Sequence, residues 1–118
     1  MKDEILMKRR ILNIVFGVCL TLLLVPKIAH AENHLTEAII QTREAIEHGK
    51  SDNSVLLVKH VKEGINQAQA ADKEKANPHN KEGIGHLMAA LDEGMKKNSK
   101  AATAHAEEAL THLEAAAK

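Results

Sequence analysis

The chain has 118 residues, with 16 basic and 16 acidic side chains and so a formal net charge of zero at pH 7. It carries no Trp or Tyr, one Phe and one Cys, yet eight His. That composition excludes an aromatic base-stacking platform, an electrostatic nucleic-acid footprint and an intrachain disulfide, and makes histidine the feature to explain.

In chain order, a basic cluster of Lys8, Arg9 and Arg10 precedes an apolar run from Ile11 to Val25, then Pro26 and the small-residue sequence Ala29-His30-Ala31. This is the pattern of a secretory signal, with cleavage expected after Ala31. The apolar run counts 15 residues, short of the roughly 20 that span a hydrocarbon core, and a retained anchor is the alternative. Cys19 lies inside this run and His30 beside the cleavage point, so neither is assigned a role. Residues 1–31 are therefore read as the signal and 32–118 as one domain. The domain holds 11 basic and 14 acidic residues, a net charge of −3, with no nucleic-acid partner and no membrane contact expected after cleavage. It is long enough to bury one small core of Leu, Ile, Val and Ala.

Breakers at 49–53, 76–78 and 94–98 divide residues 32–118 into four segments rich in Ala, Glu, Lys and Leu, with apolar residues recurring at three and four. Each opens on a helix cap: Asn33 for the first, Ser51 or Asp52 for the second, Asn77 followed by Pro78 for the third, Asn98 or Ser99 for the fourth. Sliding residues 34–71 over 79–116 gives 11 identities in 38 positions, among them His34/His79, Glu37/Glu82, Gly49/Gly94, Asn53/Asn98, His60/His105 and Glu63/Glu108. The offset of 45 marks an internal duplication. Two helical hairpins, each with one apolar face, predict an all-α, antiparallel up-down four-helix bundle, expected as a monomer.

Within the duplication runs a spacing of seven: His34, Gln41 and His48; His60 and Gln67; His79 and His86; His105 and His112. Apolar residues follow many of them (Leu35, Val61, Ala68, Leu87, Ala106, Leu113), so the histidines are expected beside the core seam, half exposed. Each helix carries the pattern H-x-x-E-x-x-x-[H/Q], at 34/37/41, 60/63/67, 79/82/86 and 105/108/112. At about 100° per residue its three positions fall within roughly 60° of arc. Two columns are complete His-Glu-His sets and two end in Gln.

Seven residues rise about 10.5 Å, so a Glu at i+3 or i+4 is a nearer partner for a His than the next His of its column. A workable ion site takes His and Glu from one helix and completes itself from a neighbouring helix or water. Imidazole with carboxylate and no thiolate suits Cu(II), Ni(II) or Zn(II), with Cu(II) tightest. Neutral imidazole is the ligand, so binding should fade below about pH 6.5. The plain alternative is a weak His/Glu pair on a solvated helix; four columns in phase favour metal. The candidate ligands are His34, Glu37, His48, His60, Glu63, His79, Glu82, His86, His105, Glu108 and His112, with Glu44 standing four residues before His48. Met88 and Met95 are read as core gap-fillers.

The stretches "HLTEAI", "EAIEHGK", "VKHVKEG", "GIGHLMAAL" and "AHAEEALTHLEA" resemble the small metal-binding protein family of exported, aromatic-free, His-rich four-helix bundles. The resemblance covers residues 32–117. It implies a periplasmic protein holding several divalent ions, copper foremost, in buffering or detoxification. The family's histidines carry over to His34, His48, His60, His79, His86, His105 and His112. This chain departs at Gln41, Gln67 and Glu93, where family members commonly show His, leaving fewer imidazoles for ions. No nucleophile-base pair or phosphate loop stands in the sequence, so a non-enzymatic role is expected. The other functional reading is a structural or partner-binding bundle with pH-responsive surface histidines.

Overall fold

A computed structural model describes residues 28–118; the basic cluster and the whole apolar run from Ile11 to Val25, Cys19 included, lie outside the described residues. The described chain is all-helical: α1 (Ile28–Lys50), α2 (Ser54–Glu74), α3 (Pro78–Met95) and α4 (Ser99–Ala116). None of these helices is long and apolar enough to cross a membrane.

The two hairpin turns repeat the duplication down to single hydrogen bonds. Asp52 and Lys97, 45 residues apart, both take left-handed backbone (φ 57° and 61°). In the first turn Asn53 N donates to His48 O at 2.9 Å and Asp52 N to Gly49 O at 3.0 Å. In the second, Asn98 N donates to Glu93 O at 2.9 Å and Lys97 N to Gly94 O at 3.0 Å. These crossed bonds satisfy the last carbonyls of the preceding helix. The same Asn then opens the next helix, its side chain accepting from Leu56 N at 3.1 Å in one turn and Ala101 N at 3.4 Å in the other.

Two expected caps are corrected. Asn53 caps α2 in place of Ser51 or Asp52, because Asp52 is used up as the left-handed residue of the turn. Asn33 caps nothing, because α1 continues back through the helix-favouring Ala29 and Ala31 to Ile28. Asn77 caps α3 as expected, accepting from His79 N and Asn80 N ahead of the Pro78 first turn.

α1 packs most extensively on α2, and α3 on α4; α2 against α3 and α1 against α4 complete the bundle. Leu57, Val61, Leu87 and Leu113 are fully buried at its centre, surrounded by Ala38, Ala45, Ala68, Ala90, Ala102, Ala106 and Ala109. Each large side chain contributes roughly 1.5–3 kcal/mol by leaving water, while alanine elsewhere lets the helices approach closely. The approach is close at Gly49 and Gly94. A methyl group there would stand 2.7 Å from Leu57 Cδ1 and 2.9 Å from Leu57 Cδ2, respectively. Leu57 thus wedges between two duplicated glycines. Inside the core, Asn80 Nδ2 donates to Ala68 O at 2.8 Å and joins α3 to α2. Met88 and Met95 are 50% and 67% exposed, so they point to solvent and fill no gap.

Candidate metal centre

The packing that buries Val61, Leu87, Ala106 and Leu113 places the preceding residue of each at the margin of a hairpin seam. His60, His86, His105 and His112 are accordingly half-buried, along with His34 and His48, while His79 is exposed. Residues of one column meet residues of the neighbouring helix there.

Three groups result, each able to offer three ligand atoms within 4.8 Å of one another: His79, Glu82 and His112; His86, His105 and Glu108; Glu44, His48 and His60. All three combine a His/Glu pair from one helix, three or four residues apart, with a His from the helix packed beside it. Ligands on a tetrahedral ion at about 2.1 Å lie roughly 3.4 Å apart, so closing any group needs shifts of an ångström or so. The exposed carboxylates supply that freedom: Glu82, Glu108 and Glu44 are 59%, 58% and 53% exposed.

The second hairpin carries two of the groups as one continuous ladder. His79 stacks on His112 at 6.2 Å between ring centroids, His112 on His86 at 5.3 Å, and His86 meets His105 at 6.2 Å. His112 Nδ1 lies 2.8 Å from Glu82 Oε2 and His86 Nδ1 2.9 Å from Glu108 Oε2. Each contact sets an imidazole nitrogen and a carboxylate oxygen side by side, close to the spacing of two ligands on one ion. His105 Nδ1 is buried without a hydrogen-bond partner. A stranded ring nitrogen beside an open carboxylate is a donor set incomplete within the protein.

The first hairpin shows what the Gln substitutions do. His34 Nδ1 lies 2.7 Å from Gln67 Oε1, and His60 Nδ1 lies 2.8 Å from Gln41 Oε1. At the offset of 45, these pairs are the counterparts of His79 with His112 and His86 with His105. An amide takes each absent imidazole's place and contacts its partner's Nδ1. His60 Nδ1 also lies 3.5 Å from Glu44 Oε2 and its ring stacks on His48 at 5.1 Å, forming the third group with residues whose places in the second hairpin are taken by Ala89 and Glu93.

Of the ligands expected from sequence, His48, His60, His79, Glu82, His86, His105, Glu108 and His112 enter these groups. Glu37 instead accepts a hydrogen bond from Gln41 Nε2 at 2.9 Å, Glu63 is exposed, and His34 stays paired with Gln67. Glu44 joins in their stead, and its signal was the i, i+4 spacing to His48. Glu93, where the resemblance has family members commonly showing His, accepts from Asn98 Nδ2 at 2.9 Å and serves the turn.

No curated protein matches the chain. The sequence profile of the family described as "Small metal-binding protein" matches residues 9–116. With nearly its whole length covered and His/Glu groups converging at both hairpin seams, the chain belongs to the small metal-binding protein family.

Proposed function

We propose that the protein is a non-enzymatic, monomeric, periplasmic buffer that holds divalent ions reversibly at the three His/Glu groups, with Cu(II) bound tightest and Ni(II) and Zn(II) also taken. The observation that carries this reading is the convergence of two imidazoles and one carboxylate in each group. Two neutral nitrogens and one negative oxygen against a divalent ion leave a site of net charge +1, open to water on one side. Such sites load and release without a conformational gate, which suits buffering. The affinity order for nitrogen and oxygen ligands puts copper first.

The up-down antiparallel order belongs to the same proposal. It is supported by the opposed numbering of the paired residues, His34 with Gln67 and Gln41 with His60, and by the three-residue turns. Export is supported by the sequence of residues 1–31 and by the resemblance.

The test is a calorimetric titration of the mature protein with Cu(II), Ni(II) and Zn(II), beside a His79→Gln/His112→Gln variant. The expected result is saturable binding of several ions with copper preferred, and one ion fewer in the variant, whose helicity is unchanged. Equal uptake by both proteins would overturn the site assignment.

A further inference from the structure

Of the seven histidines after Ala31, six enter the three groups and His34 alone does not. Its position in the chain gives it a different chemistry. Cleavage after Ala31 makes Glu32-Asn33-His34 the new terminus, with histidine third. We propose that this terminus is itself a square-planar site for Cu(II) or Ni(II), built from the Glu32 α-amine, the amide nitrogens of Asn33 and His34, and His34 Nδ1. The inference rests on the cleavage point in the proposed export reading.

Several features of the fold favour it. The first four amides of a helix have no intrahelical acceptor, so once Glu32 is terminal the amides of Asn33 and His34 are free to exchange their protons for an ion. Binding displaces those two amide protons and the ammonium proton of Glu32, and no electron is transferred. Four nitrogens in one plane match the geometry that Cu(II) and Ni(II) prefer, whereas Zn(II) has no such preference. His34 Nε2 stands 3.9 Å from Glu74 Oε1. Loading Nδ1 breaks its 2.7 Å contact with Gln67 Oε1 and leaves the remaining ring N–H toward Glu74, a carboxylate being the usual outer partner of a metal-bound histidine.

A cavity of about 290 Å³ is lined by Glu32, Thr36, Lys75, Asn80 and Lys118 among others. On its wall Asn80, 1% exposed, has an Oδ1 without a hydrogen-bond partner, an acceptor for an N–H of the new terminus. The duplicated counterpart cannot do the same: His79 follows Pro78, which lacks an amide proton, in mid-chain.

The full chain, exported by a bacterial host and purified from the periplasm, is first weighed intact to fix its N-terminus. It is then loaded with Ni(II) and Cu(II), reading the diamagnetic square-planar Ni(II) form and the four in-plane nitrogens in Cu(II) paramagnetic resonance. Expected is one such ion in the natural protein and in Asn33→Ala, which keeps the amide. The signal should vanish in Asn33→Pro and His34→Gln, with the Zn(II) load unaltered in both. A mature chain beginning elsewhere than Glu32, no square-planar signal in the natural protein, or its persistence in Asn33→Pro would each overturn the inference. Failure of the three-group reading registers separately, as the absence of a Zn(II) load.

Discussion

Gln67→His should give the first hairpin an ion that its own histidines cannot hold. Gln67 occupies the place that His112 fills in the second hairpin, with His34 and Glu37 in the places of His79 and Glu82. Without metal, the substitution removes the 2.7 Å contact between His34 Nδ1 and Gln67 Oε1. Losing that hydrogen bond costs about 0.5–1.5 kcal/mol, or roughly 2–12 °C in Tm for a domain of this size. With Zn(II) at a hundredfold excess over Kd, one added site contributes about 2.7 kcal/mol, on the order of 10–20 °C. The variant therefore starts less stable than the natural protein and gains more from zinc. Scanning calorimetry with and without Zn(II), paired with native mass spectrometry, reads both effects. A variant with no extra ion and no larger zinc-induced shift would refute the equivalence of the two hairpins on which the site geometry rests.

Further expectations concern the ligands, the core and the turns. Bound Zn(II) should be released as pH falls below about 6.5, because protons compete for neutral imidazole; undiminished uptake at pH 4.5 in equilibrium dialysis would contradict imidazole ligation. Leu57→Ala, at a fully buried site between the two tight glycines, should lower unfolding free energy by about 2–5 kcal/mol in urea titration. Gly94→Ala should cost about 1–3 kcal/mol by forcing Leu57 and Val58 apart. Lys97→Gly should act in the opposite sense, stabilising by up to about 1 kcal/mol, since Lys97 holds φ 61° at an exposed turn.

The fold was largely legible because its signals are local and repeated. Helical periodicity, the Asn77-Pro78 start and the offset of 45 all follow from neighbouring residues. The turns were less so: neither Asp52 nor Lys97 is a glycine, and while an aspartate tolerates left-handed backbone, nothing in the identity of Lys97 announces it. The start of α1 was misplaced because Asn33 resembles a cap only if the chain before it leaves the helix.

The columns of His and Glu could be read from spacing along one helix, but their partners lie on another. Which His faces which depends on the length of the turn and on how Leu57 seats against Gly49 and Gly94, a tertiary outcome. Glu44 illustrates the limit. Its spacing to His48 was visible, while the reach of His60 across the seam, with Gln41 holding its ring, was not. Met88 and Met95 show the reverse error, since hydrophobic character alone does not say which face of a helix a residue occupies.

The most direct test of the account is the number of Zn(II) ions that remain bound to the mature protein in native mass spectrometry at neutral pH. Three His/Glu groups predict a discrete three-ion species, falling to one when His79, His86, His105 and His112 are together replaced by Gln with helicity intact. A broad, unsaturated distribution of ions, the same in natural protein and variant, would contradict the assignment of these groups as metal sites.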